Sequence, residues 1–142
     1  MRIKTKAFGE MEISEKQRIQ LNDGLLGFED TRRFALLDTD KDSPFYWLQS
    51  EDIPEIAFLV IEPYSFFSGY THKCDRSDMK SIGIEKDEDM LVLCIVTVHD
   101  NFQETTVNLL GPVIINKTNR VAKQVISTDD SYSVRHPLFT SE

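Results

Sequence analysis

The sequence has little cysteine, glycine and proline: its 142 residues include two Cys, six Gly and five Pro. Two cysteines make a poor disulfide framework for a chain of this length, so we expect Cys74 and Cys94 to be reduced thiols. The low glycine and proline content, together with 40% hydrophobic residues, excludes wholesale disorder and indicates a packed core. The length predicts one domain over residues 1–139 and a frayed tail at residues 140–142.

Long apolar runs are also missing. The longest, Met90–Val98, is about half of the roughly 18–20 residues that a bilayer-crossing helix needs, so we interpret it as a buried strand. The N-terminal residues Met1–Lys6 are followed by Ala-Phe-Gly-Glu rather than by the apolar segment of a secretory signal. The sequence therefore predicts a soluble, cytoplasmic protein with no membrane association.

Motifs for nucleotide and metal binding are absent from the sequence. Gly24 and Gly27 fit neither G-x-G-x-x-G nor G-x-x-x-x-G-K-[ST], the loops that cradle phosphates. Zinc needs three or four ligands held close together, whereas His72-Lys-Cys74 offers two, and the other histidines and Cys94 are scattered. We expect no cofactor and no metal ion.

Catalytic signals are equally sparse. Cys74 could pair with His99 or His136 as a nucleophile, and its one favourable feature is a position near the start of a predicted helix. The many carboxylates would allow pairs for acid–base chemistry, but an abundance of choices is not a signal. We therefore expect a protein that is not an enzyme, with a thiol-dependent enzyme using Cys74 as an alternative.

Negative charge dominates the middle of the chain. The protein has 16 Lys+Arg against 24 Asp+Glu, a net charge of −8, and residues 21–110 alone hold seven basic and eighteen acidic side chains. Because phosphate contacts require clustered Lys and Arg, this balance disfavours direct binding of nucleic acid. It favours a basic protein as the partner.

Short strands at close spacing account for most of the apolar pattern. Residues 3–13 alternate as in a hairpin around Phe8-Gly9-Glu10. Further strands are predicted at residues 19–21, 33–38, 45–48, 56–61, 90–98, 105–110, 113–116 and 120–126. With no alternating strand–helix units, this pattern predicts an all-β fold, a mainly antiparallel small barrel or sandwich with one or two short helices.

One short helix is predicted before Gly83. Asp75 or Ser77 is a suitable N-cap residue, and Gly83 stands where a left-handed C-terminal residue is needed. Asn108 and Asn116 are polar residues within apolar strands, and we expect them to satisfy backbone groups at strand ends rather than to contact a partner.

Acidic loops flank unusually aromatic segments in the middle of the chain. Interfaces often combine aromatic anchors with a polar rim, and an acidic rim steers a basic partner. As an alternative, Phe45, Trp47, Phe58 and Phe66 are core residues, because a small barrel fills its interior with large side chains. The candidate partner-binding residues are Asp38, Asp40, Asp42, Tyr46, Trp47, Glu51, Asp52, Glu85, Asp87, Glu88 and Asp89.

Six stretches form an ordered set of motifs that covers nearly the whole chain. They are Leu25-Leu-Gly-Phe-Glu-Asp30, Ser43-Pro-Phe-Tyr-Trp-Leu-Gln-Ser50, Ala57-Phe-Leu-Val-Ile-Glu-Pro63, Thr106-Val-Asn-Leu-Leu-Gly-Pro112, Ile115-Asn116 with Arg120 and Gln124, and Tyr132-Ser-Val-Arg-His-Pro-Leu138. In order and spacing they resemble the flagellar assembly factor FliW family. The resemblance implies a single FliW-like β-barrel domain, cytoplasmic and without enzymatic activity.

The family resemblance also implies two protein partners. Members of the family bind newly made flagellin, and they bind CsrA, an RNA-binding translational regulator, which they keep off the flagellin message. When flagellin accumulates, it occupies the family protein, CsrA is released and flagellin translation is repressed; export of flagellin reverses the switch. The antagonism of CsrA is thought to be allosteric, through a surface distinct from the RNA site.

Other functions remain open at this stage. The protein could be a chaperone that binds flagellin only. A barrel that binds a small molecule would need an internal cavity, whereas the abundant aromatic residues indicate a filled interior. Because no heptad pattern or long exposed apolar stripe is visible, we expect a monomer.

Overall fold

Eleven short strands and one α-helix are found in the described residues, 1–39, 42–71, 74–129 and 131–139, of this computed structural model. The strands are β1 (Arg2–Thr5), β2 (Gly9–Glu12), β3 (Arg18–Leu21), β4 (Arg33–Asp38), β5 (Phe45–Ser50), β6 (Ala57–Ile61), β7 (Met90–Thr97), β8 (Thr106–Val107), β9 (Val113–Asn116), β10 (Val121–Gln124) and β11 (His136–Pro137). The helix α1 spans Arg76–Ser81, and 3₁₀ turns lie at Glu15–Gln17, Pro63–Ser65, Asp87–Asp89 and Phe102–Glu104. The predicted tail at residues 140–142 lies outside the described residues.

Seven of the strands close into a barrel in the order β3, β4, β5, β6, β7, β9, β10 and back to β3. Every pairing in this ring is antiparallel except that of β10 with β3, where Val121 lies opposite Gln20. The expected all-β fold, a mainly antiparallel small barrel with one or two short helices, is confirmed. The parallel pairing makes the barrel mixed.

Additional elements cover the outside of the barrel. β8 pairs with the end of β7 and in turn carries β11, while β1 and β2 form a separate hairpin. The hairpin residues Ile3 and Ile13 pack on the outward-facing Ala35 and Leu37 of β4. On the other side of the barrel, a larger cluster joins the outer faces of β6 and β7 to Ile82 and Ile84, near α1, and to the C-terminal segment.

Alternation along each barrel strand supplies the interior. In β4, Phe34 points into the barrel and Ala35 points out, because successive side chains of a strand face opposite sides. The fully buried interior side chains are aliphatic or aromatic: Leu21, Phe34, Leu48, Val60, Leu93 and Val113. β5 and β6 are covered on both faces, since they contribute to clusters inside and outside the barrel.

The two asparagines within apolar segments have the expected structural roles. The side chain of Asn116 donates from Nδ2 to the carbonyl of Ile82 (2.8 Å) and accepts the Thr118 N–H through Oδ1 (2.8 Å). Asn108 accepts the Gly111 N–H (2.8 Å) and so stabilises a turn. This turn is why the strand predicted at residues 105–110 is limited to β8.

Candidate functional site

One end of the barrel brings together part of the first predicted acidic group. Asp38, at the end of β4, lies opposite Tyr46 in β5, and Asp42 is exposed in the following loop. Burial raises the pKa of the Tyr46 hydroxyl, and the charges of Glu62 and Asp38 raise it further. Glu62 therefore belongs with Asp38 and Asp42 in what we call the mouth acids, whereas Asp40 lies outside the described residues.

The same end of the barrel also carries basic side chains. A cavity of about 430 Å³ there is lined by apolar interior residues, by Asp38, and by Lys16, Lys117 and Arg120. Three cations next to the mouth acids offset their charge locally. The mouth is therefore a surface of mixed sign rather than an acidic rim.

Glu51 and Asp52, the next two predicted rim residues, are both paired with arginines. Arg18 donates to both carboxylate oxygens of Glu51, at 2.9 and 3.1 Å, and the Glu51 side chain is only 2% exposed. Arg33 binds Asp52 in the same two-pronged way, but these two side chains are 59% and 50% exposed. Glu51 is thus a buried structural residue and is removed from the candidate surface.

The two predicted aromatic anchors are partly buried in the protein. Trp47 packs on the outer cluster between β4 and the hairpin, and Tyr46 packs on the barrel interior. Phe45, Phe58 and Phe66 likewise pack against buried clusters. For these aromatics the geometry favours the alternative of core residues.

The second predicted acidic group is more exposed. Glu85, Asp87 and Glu88 are exposed and Asp89 is half-buried, in a segment that forms a 3₁₀ turn immediately before β7. Asp75 and Asp78, at the start of α1, contribute to the same region of the chain. We call the four predicted residues, Glu85, Asp87, Glu88 and Asp89, the helix-side acids. Residues 74–89 contain six acids and three basic residues, and Lys123 of β10 forms an ion pair with Asp78 at 2.8 Å. Six acids against four cations leave this region with a net charge of −2.

Cys74 lies in a groove of about 630 Å³ beside α1, with Met79, Ile84 and Asp87 among its lining residues. Burial raises the pKa of the thiol, and the charges of Asp78, Asp75 and Asp87 raise it further. A nucleophilic cysteine needs the opposite shift, because the thiolate is the reactive form. His136, one of the two histidines considered as a partner for Cys74, instead packs edge to face on Phe67, with the ring centroids 4.9 Å apart. The groove therefore gives no support to thiol chemistry.

No group of three or more His, Cys, Asp or Glu side chains in the described part of the chain could hold a metal ion. His72, which the sequence offers with Cys74 as one of two possible zinc ligands, lies outside the described residues. Within the same ranges, no helix has the length and hydropathy of a membrane span.

A feature that sequence reasoning did not single out as a binding surface is an exposed apolar turn at the opposite end of the barrel. Phe28 N–H donates to the Leu25 carbonyl (2.7 Å), and Gly27 has φ +87°. This geometry holds Leu26 at the tip, where the residue is 80% exposed. Ile126 is 61% exposed, and Gln124, two residues before it, accepts the Leu26 N–H through its side chain (2.9 Å). The available signal in the sequence was Leu26-Gly27. A type II turn needs a positive φ at its third position, which favours glycine there and places the residue before it at the tip of the turn.

Together, the fold and its surfaces define a small mixed β-barrel with exposed acidic and apolar surfaces suited to contacts with other proteins. The family model described as FliW protein matches residues 2–138, and the chain belongs to that family. The motif resemblance is thereby confirmed.

Curated relatives and a solved structure agree with this assignment. The chain is 39% identical over 138 residues to the flagellar assembly factor FliW of Bacillus subtilis (strain 168), covering 97% of this chain and 96% of that one. Against the factor of the same name from Treponema denticola, identity is 42% over 138 residues, covering 97% and 93%. A crystal structure described as the flagellar assembly factor FliW superposes with a TM-score of 0.92 at 37% identity, covering 100% of this chain and 99% of the other.

Proposed function

We propose that this protein is a cytoplasmic flagellar assembly factor that binds flagellin and sequesters the translational regulator CsrA. The match to the family along residues 2–138 is the observation that carries the proposal. In this scheme, bound CsrA is kept from repressing flagellin translation. Accumulating flagellin occupies the protein and releases CsrA, so that export of flagellin restores translation. The protein acts by binding and not as an enzyme.

The helix-side acids are the surface best suited to CsrA. A regulator that binds RNA presents basic patches, and an acidic surface both steers such a partner and fixes its orientation. At the barrel mouth, Lys16, Lys117 and Arg120 offset the acids, whereas residues 74–89, counted together with Lys123 that pairs with Asp78, keep a surplus of two negative charges. We therefore assign CsrA to the helix-side acids in preference to the mouth acids.

Two double charge reversals of equal size separate these surfaces. Glu85→Lys with Glu88→Lys, and Asp38→Lys with Asp42→Lys, each change the net charge by the same amount at exposed positions. We expect the first pair to weaken CsrA binding about tenfold or more in titration calorimetry, and the second pair to have a smaller effect. A larger loss from the mouth pair would contradict the assignment to the helix-side acids.

Binding to each purified partner tests the proposed function as a whole. We expect titrations with flagellin and with CsrA from the same organism to give affinities of about micromolar or better. CsrA binding should weaken steeply as salt rises from low to physiological concentrations, because it depends on exposed charges. Binding to flagellin alone would reduce the protein to a chaperone, and binding to neither would overturn the proposal.

A further inference from the structure

A close backbone approach and a side-chain hydrogen bond restrain the exposed turn opposite the barrel mouth. Gly24 has φ +64°, and a Cβ atom there would lie 2.5 Å from the Phe28 carbonyl oxygen, so the chain crosses itself closely at this point. The side chain of Glu29 accepts the Gly27 N–H at 2.8 Å. These contacts fix the turn Leu25–Phe28 before any partner arrives, which reduces the entropy lost on binding.

Neighbouring residues extend the exposed Leu26 into an apolar patch. Phe28 is 39% exposed, and its ring packs edge to face on the ring of Phe58 with the centroids 5.1 Å apart, so the barrel supports one side of it. The side chain of Gln124 links this turn to the turn before β9, since it accepts the Leu26 N–H and donates to the Gly111 carbonyl at 3.0 Å. We define the apolar patch as Leu26, Phe28 and Ile126.

The charges next to the apolar patch are all negative within its own loop. Asp23, Glu29 and Asp30 are exposed, and residues 22–31 contain no Lys or Arg. Outside the loop, a hydrogen bond to Asp78 raises the pKa of Lys123 in β10 and the charge of Asp23 raises it further, so part of the Asp23 charge is already offset. A second copy of this chain would place the same acids against each other across a symmetric interface, in a protein whose net charge is already −8. The complementary occupant is a segment with apolar side chains bordered by Lys or Arg.

We propose that the apolar patch is the docking surface for flagellin, with Leu26 as its anchor and with Asp23, Glu29 and Asp30 facing basic side chains at the edge of the bound segment. This inference rests on the proposed function, in which flagellin is one of two partners. CsrA is assigned to the helix-side acids through charge. The apolar patch then supplies the second surface, whose binding depends mainly on buried apolar area and so resists salt better.

Calorimetric titration of flagellin into matched variants tests the docking surface. Leu26→Asp places a charge at the tip of the patch, and Phe8→Asp makes the same change at a 46% exposed position in the β1–β2 hairpin. We expect Leu26→Asp to weaken flagellin binding at least tenfold, which corresponds to about 1.4 kcal/mol, and Phe8→Asp to stay near the wild-type affinity. Leu26→Ser, which adds no charge, should also weaken binding and covers the case in which Leu26→Asp is misfolded.

The possible outcomes separate this inference from the proposed function. If the wild type binds flagellin and folded Leu26 variants bind it equally well, the docking surface is wrong and the proposed function stands. If the wild type does not bind flagellin, both the docking surface and the proposed function are wrong. Equal losses in Leu26→Asp and Phe8→Asp would reveal a general charge effect and overturn the docking surface. So would a wild-type dimer in sedimentation that Leu26→Asp converts to monomer, since a second copy would then cover the patch.

Discussion

At the scale of single residues, acids that look alike in the sequence have different roles in the structure. Glu51 and Asp52 are neighbours in one predicted rim, yet Glu51 is buried against Arg18 and Asp52 is half-exposed against Arg33. Local sequence could not separate them, because Arg18 is 33 positions away and reaches Glu51 only when β3, β4 and β5 are paired.

The two ion pairs should differ in their contribution to stability. Arg18→Ala leaves the buried Glu51 carboxylate without its partner, so we expect the free energy of unfolding to fall by roughly 2–3 kcal/mol, less than for a fully buried pair because Arg18 is 31% exposed. Arg33→Ala breaks the exposed pair with Asp52 and should cost less than about 1 kcal/mol. Urea unfolding of both variants measures the difference, and equal costs would contradict the structural role given to Glu51.

A buried thiol should make stability depend on pH. Burial raises the pKa of Cys94 from about 9 to about 12, although a hydrogen bond with Tyr70 opposes the shift. Between these values the folded chain keeps a proton that the unfolded chain loses, so the free energy of unfolding falls as pH rises from about 9 towards 12. Burial also raises the pKa of Tyr70, which acts in the same direction.

Urea unfolding between neutral and alkaline pH measures this dependence. We expect Cys94→Ala to show a shallower decline than the wild type, by up to about 1.4 kcal/mol per pH unit for one group. Identical slopes in the two proteins would show that Cys94 does not titrate in this window.

At the scale of elements, the sequence predicts the strands well and their partners poorly. The positions of β4, β7 and β9 follow from their apolar residues, and Gly83 ends the helical segment with φ +81° as expected. The closure of the barrel does not follow from local pattern. The parallel pairing of β10 with β3 joins residues about one hundred positions apart, and the turn stabilised by Asn108 shortens the strand predicted at residues 105–110.

The glycines of the exposed turn provide a test at this scale. A Cβ on Gly24 would meet the Phe28 carbonyl oxygen at 2.5 Å, whereas nothing lies within 4 Å of a Cβ on Gly27, and both residues have positive φ. We expect Gly24→Ala to lower the free energy of unfolding by about 2 kcal/mol or more, and Gly27→Ala by about 1 kcal/mol. If urea unfolding showed Gly27→Ala to be the more costly change, the close crossing at Gly24 would be contradicted.

At the scale of the whole molecule, the composition predicts an acidic protein that binds a partner. That its acidic and apolar surfaces lie apart can be seen only in the fold. The helix-side acids, in the segment from α1 to β7, were visible in the sequence as a run from Glu85 to Asp89. The apolar patch was not, because its turn and the segment after β10 that carries Ile126 are far apart in sequence. They are linked only in the fold, by the hydrogen bond from the Leu26 N–H to the side chain of Gln124, 98 positions away. The two surfaces are distinct, which allows two partners to be recognised by different chemistry.

Separate surfaces require an energetic coupling between them if one partner is to displace the other. A coupling of about 2.7 kcal/mol would change the affinity for the second partner about a hundredfold. Since coupling is reciprocal, CsrA should weaken flagellin binding by the same factor.

A competition titration tests the partner switch itself. The protein is first saturated with CsrA and then titrated with flagellin, and the complexes are counted by sedimentation or native mass spectrometry. The account predicts that flagellin releases CsrA and that each partner lowers the affinity for the other by about a hundredfold. A stable complex of all three proteins, with both affinities unchanged, would contradict it.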